Sequence, residues 1–292
     1  MSLFAILKYL VNHPLNRDNK WGAIIRFLKW QIYIRLNAFP VIYFFTDKSK
    51  LILRRGMSGA TGNMYCGLHE FNDMGFLLHF LRKDDLFCDI GANIGSYTVL
   101  SAAHVGAQTI SFEPVPATYE HLLNNIYINR ANNLVQPHNI ALGAQKGTVD
   151  FTSTLDSMNH VAAPGDTNKI TVEISTLDDI IGERTPALLK IDVEGFETEV
   201  IRGASNTLNK PELKAIIIEL NNSGARYGYD DSKIHDTFIR SGFEPYLYDP
   251  LTRALTKAAS FGFHNTIYIR DIAFVTDRLK NAAPFKVLNK SI

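Results

Sequence analysis

Cysteine is scarce in this chain: of 292 residues only Cys66 and Cys88 carry a thiol. Two thiols this far apart build no disulfide framework and point to a reducing compartment. Neither C-x-x-C nor H-E-x-x-H occurs, so no zinc pattern is present, and nothing resembles a covalent nucleophile pair. Long apolar runs are missing too. Residues 36–46 form an uncharged run, but it contains Pro40 and is shorter than the roughly 18 residues of a spanning helix. Residues 3–11 are apolar but interrupted by Lys8, with no convincing cleavage pattern after them, so no secretory signal is read. These absences point to the cytoplasm. Net charge is almost absent as well: 30 basic against 29 acidic residues leave +1, and no global field argues for nucleic acid.

What charge there is lies unevenly. Residues 1–60 hold ten basic residues against Asp18 and Asp47, a balance of +8 that leaves −7 for the remainder. The composition, 46% hydrophobic and 20% charged, is that of globular material. The length allows one catalytic domain with an appendage, or two small domains.

The stretch 86–95 organises the rest. Leu-Phe-Cys-Asp-Ile reads as a buried parallel strand with an acid, Asp89, near its end. Cys88 in that strand reads as a small buried hydrophobe. Gly91-Ala-Asn-Ile-Gly95 follows as a turn, and residues 96–105 have helical periodicity. A second strand, 108–112, ends at Glu113, where an acid is suited to hold two ribose hydroxyls. A dinucleotide site needs G-x-G-x-x-G to lay a pyrophosphate on bare backbone at a helix N-terminus. Here the spacing is Asp89-x-Gly91-x-x-x-Gly95, and the third glycine is missing. A carboxylate there repels a pyrophosphate and suits a ligand with a cationic end, which favours S-adenosylmethionine over NAD. A bland alternative is that Asp89 only caps the following helix.

Residues 89–97 (Asp-Ile-Gly-Ala-Asn-Ile-Gly-Ser-Tyr), 112–116 (Phe-Glu-Pro-Val-Pro), 140–143 (Ile-Ala-Leu-Gly) and 189–196 (Leu-Lys-Ile-Asp-Val-Glu-Gly-Phe) stand in order. Together they resemble the ordered motifs of the FkbM family of S-adenosylmethionine-dependent methyltransferases, over roughly residues 56–269. The resemblance implies a class I methyltransferase fold of α/β type: a Rossmann-like, mostly parallel sheet with helices on both faces. An N-terminal helical and hairpin extension precedes it. It also implies O-methylation of a hydroxyl on a sugar, a glycan or another secondary metabolite, without naming the acceptor. The cofactor site then comprises Asp89, Gly91, Asn93, Gly95, Glu113 and Pro114. Family habit adds Asn139 and Ala141, near the tip of a third strand read at 135–142, as adenine contacts.

The division read from the chain is an extension over 1–70, a catalytic domain over 71–271 and a basic tail over 272–292. Within the extension, Ile24, Ile25, Leu28, Ile32 and Leu36 recur at helical spacing among Arg26, Lys29 and Arg35. The bland reading of residues 21–36 is a helix packed on the catalytic domain or on a second subunit, making a homodimer. The sharper one is a helix lying on an anionic membrane, which would place the protein peripherally at the inner membrane face. Short strands are read at 40–45 and 50–53, and the glycine-rich stretch 55–67 reads as a loop, either a plain connector or a flap over the site. Residues 70–81 read as a helix.

Strand and helix then alternate, as a parallel sheet requires. Residues 147–153 and 170–174 alternate like an added hairpin. The polar excursion between them, with Ser157, Asn159 and His160, suits an acceptor loop. His160 is a candidate base, although a lone loop histidine is more often a solvated polar residue. A fourth strand, 187–193, carries Lys190, Asp192 and Glu194 two residues apart, so they share a face if the strand persists that far. Asp192 or Glu194 would take the proton from an acceptor hydroxyl, directly or with a bound cation; alternatively Lys190 and Asp192 are a structural ion pair. Glu219 ends a fifth strand as a further acid, and His264 precedes the last one. No metal is assigned, although these acids offer oxygen ligands. Two other classes remain open: an NAD-dependent oxidoreductase and a non-catalytic scaffold with this fold.

Overall fold

Residues 3–262, 264–288 and 290–292 are described by the computed structural model. The chain opens with α1 (Leu3–Asn12) and α2 (Lys20–Leu36), which pack on each other. Asn19 starts α2 by accepting the Gly22 N–H on its side-chain oxygen at 2.8 Å. An antiparallel hairpin follows, β1 (Val41–Phe44) with β2 (Lys50–Leu53). The stretch expected as a loop at 55–67 contains a helix instead, α3 (Ser58–Cys66). Its glycines disfavour helix, but Ala60, Tyr65 and Cys66 are buried, and packing outweighs propensity.

Most of the stripe read in α2 does not pack on the rest of the chain. Ala23, Phe27 and Trp30 face inward, while Ile25, Leu28, Ile32 and Leu36 are exposed. Two large aromatics win the core face, Phe27 meeting Tyr65 edge-on at 5.3 Å between ring centres.

The half that carries the large sheet begins with α4 (Phe71–Phe80), β3 (Leu86–Ile90) and α5 (Ser96–Val99), the last extended by a π-type turn over Leu100–Val105. Then come β4 (Gln108–Phe112), α6 (Pro116–Ile128), β5 (Val135–His138), β6 (Ala141–Leu142) and β7 (Gly147–Thr152). Next are β8 (Lys169–Ser175), α7 (Leu177–Ile181), β9 (Leu188–Ile191), α8 (Glu197–Arg202), α9 (Ser205–Asn209) and β10 (Ala215–Glu219). Helix α10 (Asp231–Arg240), β11 (Glu244–Asp249), β12 (Ala254–Lys257) and β13 (Asn265–Ile269) complete the sheet.

Eight strands lie in the order β12-β11-β13-β10-β9-β3-β4-β5. β5, β4, β3, β9 and β10 are parallel, and β13 runs against β10. This is the class I methyltransferase arrangement that the motifs imply. All residues of β9 are buried, as a strand covered on both faces requires. The order reverses between β3 and β9, and in open α/β sheets the ligand crevice lies at such a switch point.

The expected third strand is broken. β5 stops at His138, and β6 leaves to join β8 and β7 in a separate three-stranded sheet. Asn139 occupies the break, where its side chain bonds backbone carbonyls instead of continuing a ladder. Similarly, the residues read as a tail form α11 (Ile272–Lys280) and a small hairpin, β14 (Lys286–Val287) with β15 (Lys290–Ser291). Val275, Leu279, Phe285, Val287 and Ile292 join one apolar cluster with Phe27, Phe76 and Phe87, so a single core runs through all three segments. Both thiols are fully buried in the fold.

Candidate active site

Two adjoining pockets lie over the carboxyl ends of β3 and β9. One has apolar walls that include Ile90, Phe112, Ile140, Leu142, Phe151 and Phe196, and Glu113 lines it too. The other is bounded by Asp89, Glu70, Tyr97, Lys190 and Glu219 together with α3 residues Gly59, Ala60 and Asn63. Gly91, Asn93, Ser157, Asp192 and Glu194 line both, so the two form one cleft.

The turn after β3 is closed on itself. The Gly91 and Ala92 N–H groups both donate to the Phe112 carbonyl, at 3.0 and 2.9 Å. Asn93 N–H donates to Glu113 Oε2 at 3.0 Å, Ile94 N–H to the Asn93 side chain at 2.7 Å, and Gly95 N–H to the Ala92 carbonyl at 2.8 Å. Gly91 (φ +79°) and Gly95 (φ +89°) take left-handed conformations that glycine alone adopts cheaply.

Glu113 is buried, and its other oxygen accepts the Val115 N–H at 3.0 Å. Burial pushes its carboxyl up to about 7, against the pull of those two backbone donors. Asp89 accepts the Thr98 hydroxyl at 2.6 Å, and burial raises it to about 6.

In register, Asp89 of β3 stands beside Lys190 of β9. Lys190 is buried, donates to Asp192 Oδ2 at 2.9 Å and to Asn265 Oδ1 at 3.2 Å, and lies over the Tyr97 ring. Burial works against its charge, but Asp192, Glu70 and Glu219 outweigh it and hold the ammonium above the ordinary lysine range. Asn265 in turn donates to Glu70 at 2.6 Å and Asp73 at 3.3 Å.

β9 ends at Ile191, so strand alternation does not gather the acids. A turn does, with Glu194 in a left-handed conformation (φ +54°) and Gly195 at φ +107°. Glu197 fixes that turn by accepting the Val193 and Gly195 N–H groups at 3.2 and 3.1 Å. Oxygens of Asp192, Glu194 and Glu219 consequently come within 4.8 Å of one another. Burial and the Asp192 charge raise Glu194 to about 7 and Glu219 to about 8. Glu194 and Glu219 can therefore accept a proton near neutral pH, and the trio also has the oxygen chemistry of a hard-cation site.

A methyltransferase FkbM domain model matches residues 89–245, more than half of the chain and a span that runs from Asp89 through β4, β9 and β10. The chain belongs to that family. Among similar proteins, the hexuronic acid methyltransferase AglP of Haloferax volcanii is 29% identical over 147 residues, 49% of this chain and 59% of that protein. The 31-O-demethyl-FK506 methyltransferase FkbM of Streptomyces tacrolimicus is 26% identical over 194 residues, 54% of this chain and 74% of that one. The chain thus spans less than two thirds of the haloarchaeal relative. Among solved structures, methyltransferase FkbM from Methylobacillus flagellatus aligns over 72% of this chain and 52% of its own, with 17% identity and a TM-score of 0.45.

Within this FkbM-family cleft, the structure gathers Asp89, Gly91, Asn93, Glu113, Pro114 and Ala141, and opposite them Lys190, Asp192, Glu194 and Glu219. Gly95 sits behind the wall, with its α-carbon against Leu122. Asn139 lies outside the lining; it donates to the Glu113 and Pro114 carbonyls at 2.8 and 3.0 Å, and Ile140 takes the wall position beside Ala141. His160 is buried away from the cleft, its ring nitrogens facing the Met158 carbonyl (2.8 Å) and Asp166 (3.2 Å). His264 is exposed. Three residues escaped sequence reasoning. Glu70 reaches the cleft from the start of α4, which carries no motif, and Tyr97 closes the 89–97 motif without having been singled out. Glu197 was readable as an acid just after the glycine turn, whose N–H groups need an acceptor.

Proposed function

We propose that this chain is an S-adenosylmethionine-dependent O-methyltransferase acting on a hydroxyl of a sugar, glycan or other secondary metabolite. The closed turn carries the reading. All five N–H groups of residues 91–95 are already bonded within the protein, so the turn itself offers no bare N–H to a pyrophosphate. Acids flank the turn instead. That donor-poor, carboxylate-rich lining fits a ligand with a ribose, an adenine and a cationic amino-acid end.

Bound there, S-adenosylmethionine supplies a methyl group on a positively charged sulfur, so the leaving group needs no further activation. Glu113, fixed by two backbone donors, would accept the ribose hydroxyls. Phe112, Ile140 and Leu142 would cover the base, and Asp89 would face the cationic end. The chain's remaining work is to hold an acceptor oxygen in line and relieve it of its proton. Asp192, Glu194 and Glu219 offer the proton acceptor, and Lys190 orients Asp192. With Glu70 and Asp192 already set against one lysine, and Glu194 and Glu219 adding charge as they ionise, the cleft favours a neutral hydroxyl compound. A sugar acid, as named for the haloarchaeal relative, would meet like charge.

Calorimetric titration with S-adenosylhomocysteine beside NADH tests the donor. The homocysteine nucleoside is expected to bind saturably, and Glu113→Gln to weaken it by roughly tenfold, the worth of one charge-assisted hydrogen bond. Tight NADH binding would overturn the reading, and binding of neither ligand would favour a non-catalytic scaffold. Transfer of labelled methyl to neutral glycosides in preference to uronates tests the acceptor.

A further inference from the structure

Helix α2 is apolar on two opposite faces. Ala23, Phe27 and Trp30 fill the core side, while Trp21 (76% exposed), Ile25 (48%), Leu28 (50%), Ile32 (58%) and Leu36 (77%) stand in solvent. At 100° per residue those five fall within one narrow arc, opposite the buried three. Lys29 borders that arc on one side and Arg35 on the other; both are exposed, and no acid occurs anywhere in α2. The surroundings repeat the pattern. Among the described residues, eleven of the twenty exposed large apolar side chains precede residue 45, too dense a patch for scattered surface residues.

We propose that this outer face of α2 docks on an anionic lipid bilayer, the helix lying in the interface plane. Its 17 residues give a contact about 25 Å long. Charge selects this occupant over a second copy of the chain. A two-fold contact would set one +8 segment against another, and like charges across an interface are costly. A head-to-tail contact would meet the −7 of the remaining residues but does not close on two copies. The two acids of the segment do not neutralise the face, since Asp18 already pairs with Lys290 at 2.7 Å and Asp47 lies beside the Lys286 backbone. Cations bordering bare apolar surface match anionic headgroups above acyl chains.

Co-sedimentation of the full chain with phosphatidylcholine vesicles, with and without phosphatidylglycerol, tests this. Binding is expected only when phosphatidylglycerol is present, and weakening in high salt. The chain's second tryptophan, Trp30, is only 5% exposed, so a blue shift and quenching by brominated acyl chains would report on Trp21. Trp21→Phe should remove that signal. The pair Lys29→Gln and Arg35→Gln should weaken binding roughly thirtyfold. Ile25→Ser with Ile32→Ser should abolish it while melting temperature and S-adenosylhomocysteine affinity stay unchanged. Failure to sediment with any vesicle, or equal binding to neutral ones, would overturn the proposal. So would a concentration-dependent dimer that Ile32→Asp dissolves and vesicles do not displace.

Discussion

A β-carbon on Gly91 would lie 1.8 Å from the Asp192 carbonyl oxygen, so the turns after β3 and β9 touch where that side chain is missing. Gly91→Ala is therefore expected to force the two turns apart, lowering the melting temperature and abolishing S-adenosylhomocysteine binding in the same calorimetric assay. Lys190 is the second residue on which the cleft depends. Replacing it with methionine leaves Asp192, Glu70 and Glu219 facing one another without a cation. The expected loss is about 3 kcal/mol in denaturant unfolding at neutral pH. Asp89, Glu113 and Lys190 were legible in the sequence because each stands at a strand tip inside a recognisable spacing. Glu70 was not, because only the packing of α4 brings it to the cleft, and Tyr97, although inside the 89–97 motif, is an aromatic whose contact with Lys190 only the fold reveals.

The turn over 192–195, the end of β10 and the start of α4 share a titration behaviour that sets a pH window. Asp73, Glu113, Glu194 and Glu197 are raised to about 7 and Glu219 to about 8, chiefly by burial. A raised carboxyl binds its proton more tightly in the folded state, so stability is greatest below the ordinary carboxylate range and is lost as pH climbs through the folded values. His13, His79 and His104, lowered to about 4 by burial, act oppositely, but only below their ordinary value of 6.5. Above that point the carboxyls act alone. The unfolding midpoint should thus fall between pH 6.5 and 8, and Glu219→Gln should flatten the fall. Methyl transfer should move the other way over this interval, rising as Glu194 and Glu219 ionise. Elements with strong periodicity or a buried apolar run, such as α4, β3, β9 and β10, were readable without the structure. Helix α3 and the break between β5 and β6 were not. α3 is held by burial of Tyr65 and Cys66 against its own propensity, and the break follows from side-chain hydrogen bonds made by Asn139.

At the scale of the molecule, the three segments read from the sequence share one core. Phe285, far from any motif, packs 4.9 Å from the His79 ring, and the Asp47 N–H bonds the Lys286 carbonyl at 3.1 Å. Phe285→Ala should accordingly cost about 3–5 kcal/mol in a single cooperative unfolding transition, whereas an appended tail would leave stability unchanged. Charge and composition located the basic extension but not which face of α2 it buries, because both faces are apolar and volume decided between them. Cys66 and Cys88, sealed in the interior and raised by burial to about 12, have a further use. To an alkylating reagent the folded chain behaves as though it had no cysteine at all. Trp21→Cys would then carry the one reactive handle, and a single spin label or fluorophore there could gauge the depth of α2 in a bilayer without rebuilding the core.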